Sequence, residues 1–487
     1  MSLSITSFII KNDNTLWGCG RNYYGRLGLG KDTADKTVFT QIITNTDGIK
    51  SVYCGYGHTL MLKNDGTLWS CGYNGEGELG LGDTTNRYVF TQIITNTDNI
   101  KSVYCGSYHS FILKNDGTLW GCGKNDSGQL GLGNTSNRKT FTKITDNVKS
   151  VDCGYEHTII FKNDGTLYGC GNNSSSQLGL EKDASNKTTF TKITINVDNI
   201  KSVYCGSYHS FILKNDGTLW GCGNNNYGQL GLGDTNNRKT FTLIGINTNN
   251  IKSIYCGGSY TLILKNDGTL WGCGANSSGQ LGLEDTKDRT TFAQITNDVK
   301  LVYCGYSYTL ILKNDGTLWG SGLNQYGQLG LGNTSNRNTF TQITKNVDNI
   351  KSLANNYNIP NTIKIYDSKI GYVETLDTNN FRSIPINTVE RLKSLCINPP
   401  NTYLNCLISF DKKQTWKTFN NSNWLEISDI SPENIILNGM NVGTLNQLDS
   451  NKLISGGFTG DLDFKIAMKT NDTKKTPSIT KIYIEYK

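Results

Sequence analysis

No proline occurs before Pro360 in this 487-residue sequence; all six (Pro360, Pro385, Pro399, Pro400, Pro432 and Pro477) fall in the last part of the chain. Histidine and methionine are scarce, with four of each. No apolar run approaches the length that spans a bilayer, so membrane insertion is not expected. Like charges never accumulate in runs of five or six, and the net charge of +7 is thinly spread, which sets nucleic acid aside as a partner. The N-terminal Met-Ser-Leu-Ser-Ile-Thr-Ser-Phe-Ile-Ile has neither a basic region nor a long apolar core, so no signal peptide is expected. Cysteine is plentiful, at fourteen, yet the CxxC spacing of metal and redox sites is missing.

What fills the sequence instead is repetition. The stretch Lys114-Asn-Asp-Gly-Thr-Leu-Trp-Gly-Cys-Gly123 returns with its lysine at Lys11, Lys63, Lys162, Lys214, Lys265 and Lys313, at spacings of 52, 51, 48, 52, 51 and 48 residues. A period near 50 is that of a propeller or solenoid. Within the third unit, His109 to Leu113 and Thr118 to Cys122 read as strands about Asn115-Asp116-Gly117, whose Asp-Gly favours positive φ in a hairpin turn. Lys139 to Ile144 and Val148 to Cys153 are two further short strands. Four strands per unit make a propeller blade.

The first unit starts mid-pattern at Ile5 to Ile10, and the strand type it lacks reappears at residues 350–354. Pairing of these two segments would clasp the ring shut and remove its open edges. The expected architecture is all-β: a seven-bladed β-propeller over residues 1–356, then a smaller, jelly-roll-like β-sandwich over 357–487. For the latter, Leu404 to Phe410, Thr415 to Phe419, Trp424 to Ile427, Asp463 to Lys469 and Ile479 to Tyr486 read as strands.

The units resemble repeats of the regulator of chromosome condensation family, through Gly117 to Trp120, Gly128 to Gly133 and the corner Cys54-Gly55-Tyr56-Gly57-His58-Thr59. The resemblance covers residues 1 to about 355 and implies seven blades. It does not by itself carry over guanine nucleotide exchange on a small GTPase, because no wedge is inserted between blades and no unit shows its own acidic or basic set. The C-terminal region, from Ser409 to Ile427, Gly439-Met440 and Thr476 to Ile482, is similar to modules of phage tail and tail-fibre proteins. Ser409 to Trp416 also resembles an Asp-box, with Lys413 where that turn has glycine.

Sameness speaks against catalysis: Lys101 to Gly123 is identical to Lys201 to Gly223. The histidines (His58, His109, His157, His209) occupy one slot, and Tyr260 and Tyr308 replace them in the sixth and seventh units. They read as structural, with a neighbouring blade's backbone as partner. Twelve cysteines in two slots read as small buried thiols beside glycine. The tryptophan slot (Trp17, Trp69, Trp120, Trp220, Trp271, Trp319) reads as core. Loops such as Gly128 to Gly133 superficially resemble phosphate cradles but lack a P-loop Lys-Ser/Thr. Loops such as Asp83 to Arg87 and Asp234 to Arg238 read as solvated turns rather than contacts for a ligand. No catalytic residue, metal site or cofactor is expected.

The informative positions are those where units differ. Tyr56, Tyr108, Tyr155, Tyr208 and Tyr306 occupy the corner before the histidine slot; Tyr23, Tyr24, Tyr73, Tyr227 and Tyr326 follow the Gly-Cys-Gly strand. Tyrosine and asparagine on loops suit recognition of glycans or protein surfaces. The expected function is a non-enzymatic adhesin, a phage or phage-derived tail component that recognises a bacterial surface polysaccharide or envelope protein and contacts other tail proteins. It would reside on a virion or phage-like particle, or be released from the bacterial cytoplasm. The tail-fibre resemblance favours a homotrimer, although no heptads enforce one. A bacterial protein-interaction scaffold or effector is the alternative, and nucleotide exchange comes third.

Overall fold

A computed structural model describes residues 4–43, 48–181, 183–194, 199–245 and 250–354, together with the strand backbones of the C-terminal region. The chain divides into two units, Met1–Tyr357 and Asn358–Lys487. The first is a ring of seven four-stranded antiparallel sheets. In blade 3 the order is Ile100–Cys105, His109–Lys114, Leu119–Gly123 and Arg138–Thr145. First strands touch one another from blade to blade and so line the axis. The second strand, His-Ser-Phe-Ile-Leu-Lys, is buried at every position because blades pack on both its faces, whereas the outermost strand is largely solvent-facing.

The hairpin differs from the two-residue turn that Asp-Gly favours. Only Gly117 takes positive φ, at 81°. Lys114 N–H donates to Thr118 O at 2.9 Å, while Asp116 Oδ1 accepts from Thr118 N at 2.9 Å and from its hydroxyl at 2.7 Å. The same threonine hydroxyl accepts from Trp120 Nε1 at 3.0 Å, and Lys114 Nζ stands 4.6 Å above the indole. The tryptophans are consequently half-buried at the rim of the core rather than inside it.

The ring closes as the repeat boundaries imply. Ile9 pairs with Leu353, Ile10 with Ser352 and Lys11 with Ile350, so blade 1 takes its axial strand, Ile350–Leu353, from the other end of the propeller.

Each blade is joined to the next by one repeated device. The carbonyl at the second position of the Gly-Gln-Leu-Gly loop accepts a hydroxyl from the following blade at 2.7–2.9 Å: Arg26 from Thr59, Glu78 from Ser110, Gln129 from Thr158, Gln177 from Ser210, Gln229 from Thr261, Gln280 from Thr309 and Gln328 from Ser7. A buried thiol of that following blade adds a longer bond, as from Cys122 to Glu78 O at 3.5 Å. The twelve propeller cysteines are buried thiols outside any disulfide, and those of the Gly-Cys-Gly slot lie against a glycine of the preceding blade's loop, as Cys122 does with Gly80. Burial pushes their thiols upward in pKa, which keeps them protonated and unreactive.

The histidines join this device, but through side chains and not backbone. His58, His109, His157 and His209 place Nε2 2.9–3.2 Å from Ser110, Thr158, Ser210 and Thr261. Each hydroxyl has already given its one proton to a carbonyl, so each imidazole must donate from Nε2. That fixes the neutral tautomer and leaves Nδ1 bare against a glycine. The expected backbone partner is realised only where tyrosine replaces histidine: the hydroxyl of Tyr308 reaches Thr6 O at 2.9 Å, and that of Tyr260 reaches Tyr308 O.

In the C-terminal unit, Ile384–Pro385, Asp461–Thr470, Thr402–Ser409, Trp416–Asn420 and Asn423–Ile427 form one sheet in that spatial order, and Val389–Asn398 pairs with Ser478–Tyr486. All five expected strands overlap these, and Ile384–Pro385 and Val389–Asn398 are additional. The turn at 410–415 and Gly439-Met440 lie outside the described residues.

Burial lowers the four imidazoles to about 3. A histidine whose folded pKa is depressed supplies stability above its unfolded value that is lost as pH falls. The unfolding free energy should therefore fall as pH goes from 6.5 to 5, by about 2 kcal/mol per histidine at pH 5, and the melting temperature with it. Scanning calorimetry across that range would show it, and a flat profile would mean the imidazoles are charged or exposed.

Candidate functional site

Antiparallel pairing puts Gly123 opposite His109, so the corner before the second strand and the long loop after the third open on the same end of the ring. All ten candidate tyrosines thus belong to one face. The hairpins, their Lys-Trp pairs and a cavity of about 350 Å³ lined by Asp98, Lys114, Trp120 and Lys143 belong to the other.

The corner tyrosines occupy two registers. Tyr56, Tyr155 and Tyr306 stand at the first corner position, whose backbone forms an annulus: Tyr56 N–H donates to Ser107 O, Tyr155 to Ser207 O, Ser207 to Gly258 O, Gly258 to Tyr306 O and Tyr306 to Ser4 O, at 2.9–3.3 Å. Tyr108 and Tyr208 stand one residue later. The phenols of Tyr155, Tyr56 and Tyr227, from blades 4, 2 and 5, all lie within electrostatic range of Tyr306.

The structure brings the two groups of tyrosines into one path. Ring centroids are 4.2 Å apart for Tyr23–Tyr24, 5.0 Å for Tyr24–Tyr73, 6.4 Å for Tyr73–Tyr108, 5.9 Å for Tyr108–Tyr155 and 5.5 Å for Tyr155–Tyr208. Tyr56 packs on Tyr108 at 5.6 Å, and Arg21 lies between Tyr326 and Tyr23, at 4.7 and 5.6 Å from their centroids. Tyr227 and Tyr306 lie on the same face beside this path, related to it electrostatically and not by ring contact. Tyr23, Tyr227 and Tyr306 are exposed by 54%, 47% and 42%, while the other seven are half-covered by their neighbours. Such pairing holds flat apolar area open to solvent with little rotamer freedom left to lose. Burial, and then the neighbouring phenols, push Tyr208 up to about 12 and raise Tyr108 and Tyr306, so these hydroxyls remain proton donors.

Residues 3–196 and 96–354 match the RCC1-like domain. The chain belongs to the RCC1-like family. It is 38% identical over 289 residues to the X-linked retinitis pigmentosa GTPase regulator of Homo sapiens, an alignment spanning 57% of this chain and 28% of that protein. It is 33% identical over 281 residues to the ultraviolet-B receptor UVR8 of Arabidopsis thaliana, spanning 57% and 52%. The matched part is thus about half or less of those relatives' length. The fold is also that of yeast RCC1 (Prp20) in its structure with Kap60, at a TM-score of 0.62 and 22% identity over 72% of this chain and 86% of that one.

Against the regularity of an RCC1-like ring, blades 1 and 2 carry charges that the sequence reading passed over. Where five blades have glutamine in the loop, blade 1 has Arg26 and blade 2 has Glu78, both almost fully buried. Arg26 donates to Tyr56 O at 2.8 Å and Tyr23 O at 3.1 Å, fastening the face from below. Glu78 Oε2 accepts from Glu76 N at 2.9 Å, as Gln129 Oε1 does from Ser127 N at 3.0 Å. Glu78 Oε1 takes the place of the amide nitrogen and has no partner among the described residues. Unit 2 therefore does have its own acidic pair, contrary to expectation, and the signal was a single Glu in a Gly-Gln-Leu-Gly motif. On blade 3, Lys124 pairs with Glu156 at 2.7 Å and lies over the Tyr108 ring. The Asp-to-Arg loops do close on themselves, Asp83 to Arg87 and Asp234 to Arg238 both at 2.6 Å.

Burial raises Glu78 to about 8, with Glu76 adding to the effect and Lys124 opposing it. The unfolded chain ionises near 4.5, so this residue costs stability increasingly as pH rises from 4.5 to 8. Glu78→Gln should stabilise the protein by about 3 kcal/mol at pH 7 and by almost nothing at pH 4. Melting curves of both proteins at the two pH values check this; equal gains at both would show that ionisation is not the cause.

Proposed function

We propose that the propeller is a non-catalytic docking platform whose tyrosine face holds a protein partner. The observation that carries the reading is the continuous ring-to-ring path across blades 1 to 5, with exposed Tyr23, Tyr227 and Tyr306 at its margins. Paired tyrosines presented on loops of a rigid ring supply contact area at low entropic cost, which is what a recognition surface needs. The names of the relatives, a GTPase regulator and a light receptor, are in keeping with a regulatory binding role.

A particle-borne adhesin is the second reading. The same exposed phenol faces can stack on sugar rings, and the C-terminal strands are in keeping with a β-sandwich module of tail type. In that reading the ligand is a bacterial surface polysaccharide or envelope protein, and the particle sets the oligomeric state. Nucleotide exchange on a GTPase is the third.

The test uses the full chain and a Tyr227→Ala/Tyr306→Ala variant, chosen because both side chains are exposed. Each is offered to cross-linked cell extract, to intact bacteria and to extracted surface polysaccharide. Capture of a discrete protein, reduced at least about tenfold in the variant, is expected. Capture of polysaccharide instead would favour the adhesin. Binding that the variant leaves unchanged would mean the tyrosine face is not the working surface.

A further inference from the structure

We propose that the tyrosine face carries a cation pocket, formed by Tyr24, Tyr73 and Tyr108 over the carboxyls of Glu76 and Glu78, that takes a lysine side chain of a basic peptide segment. The inference rests on the docking reading above and names what the partner must present.

The pocket follows from one substitution within a repeated geometry. In blades 4 and 5 the loop glutamine turns its Nε2 toward the residue five positions earlier, Gln177 donating to Asn172 Oδ1 at 2.9 Å and Gln229 to Asn224 Oδ1 at 2.7 Å, whereas in blades 3 and 7, which have Lys124 and Leu323 at that earlier position, Gln129 and Gln328 Nε2 have no partner among the described residues. In blade 2 the glutamine is Glu78 and the earlier residue is Tyr73. Glu78 keeps the acceptor role with one oxygen, its other oxygen has no partner among the described residues, and its carboxyl lies within electrostatic range of Tyr73. Once the carboxyl ionises, a fully buried oxygen without a donor is costly, and a cation or N–H donor is what would satisfy it.

The surroundings supply the rest of a cation site. Tyr24, Tyr73 and Tyr108 are in successive ring contact at 5.0 and 6.4 Å. Glu76 is half-exposed beside them, held by Asn137 Nδ2. Aromatic faces and carboxylates attract the same ligand, an ammonium that also has N–H groups to donate. The charged and titratable groups around Glu78 are Glu76, Tyr73, Lys124 and Cys122, and the one cation among them, Lys124, is already paired with Glu156. The Tyr73 hydroxyl end rests over Gly75, where a β-carbon would come within 2.1 Å of it. Glycine there leaves the phenol space to lie flat as a cover. Entry of the ammonium requires that ring to swing aside, after which Glu78 gives up its proton to solvent and pairs with the ligand.

The experiment uses the full chain and a fluorescent tetralysine peptide at about 50 mM salt, followed by anisotropy and by calorimetry in buffers of different ionisation enthalpy. Saturable binding is expected, weaker by at least about tenfold in Glu78→Gln and in Glu76→Gln, and lost when the lysines are acetylated. At pH 7 about one proton should be released per peptide bound by the parent protein and none by Glu78→Gln. Glu78→Gln is a safe variant because it restores the loop residue of five other blades. Unchanged affinity in Glu78→Gln, equal binding of the acetylated peptide, or no proton release would overturn the pocket. Should tetralysine fail to bind while a captured partner is still released by Tyr227→Ala/Tyr306→Ala, the pocket is wrong and the docking platform stands.

Discussion

The joint between blades is the constraint on which this propeller depends. Without the serine or threonine hydroxyl of the next blade, the buried loop carbonyl of each blade would keep at most a weak, longer thiol bond. A buried bond of this kind contributes only about 1 kcal/mol net, but leaving its groups orphaned costs about 1–3 kcal/mol each. In four of the joints the same hydroxyl also receives the preceding blade's imidazole, so a single oxygen serves as donor to backbone and acceptor from histidine. The clasp of Ile350–Leu353 onto Thr6–Lys11 brings the two ends of the ring into the same scheme, with Ser7 closing on Gln328.

Because the acceptor is a backbone carbonyl, the side chain on the same residue is not needed for the joint. Arg26 and Glu78 stand there in place of glutamine and still present their carbonyls to Thr59 and Ser110 at 2.8 and 2.9 Å. The frame is thus indifferent to the positions where charge and aromatic character accumulate. Successive tyrosines fill the corner and loop positions that the joints leave unused, and the annulus of backbone bonds holds the corners at fixed separations. Blade 6 offers only Gly258, Ser259 and Ala275 there, and Tyr227 and Tyr306 are neighbours across it. Recognition on this face therefore comes from differences among blades whose framework is the same.

Much of the fold was legible because the period, the Gly-Cys-Gly strand and the displaced first strand are local signals repeated seven times. The clasp could be read from residues 350–354 alone. Long-range partners were less legible. Nothing near His109 tells that its partner is a hydroxyl 49 residues on, already committed to a carbonyl, so a backbone partner was the natural expectation. The tryptophans look like core in a strand pattern, and only the lysines lying on Trp17, Trp69, Trp120, Trp271 and Trp319 reveal their place at the rim. For the site, the tyrosines were picked out because units disagree there, but their two registers and their continuity require three dimensions. Glu78 was visible as a single departure from glutamine and went unread, since burial, which makes it consequential, is not written in the motif. The RCC1-like family accounts for the ring and not for these irregularities.

The separation of frame from face is most directly tested by comparing unfolding free energies of Thr158→Val and Tyr227→Ala/Tyr306→Ala in the full chain. Thr158→Val leaves His109 Nε2 without a partner and Gln129 O with only the longer bond from the Cys170 thiol at 3.3 Å, so it should lose about 2–4 kcal/mol, whereas the tyrosine pair should stay within about 1 kcal/mol of the parent. The opposite ranking would contradict the account, because it would place the stability of the ring in the tyrosine face and not in the joints.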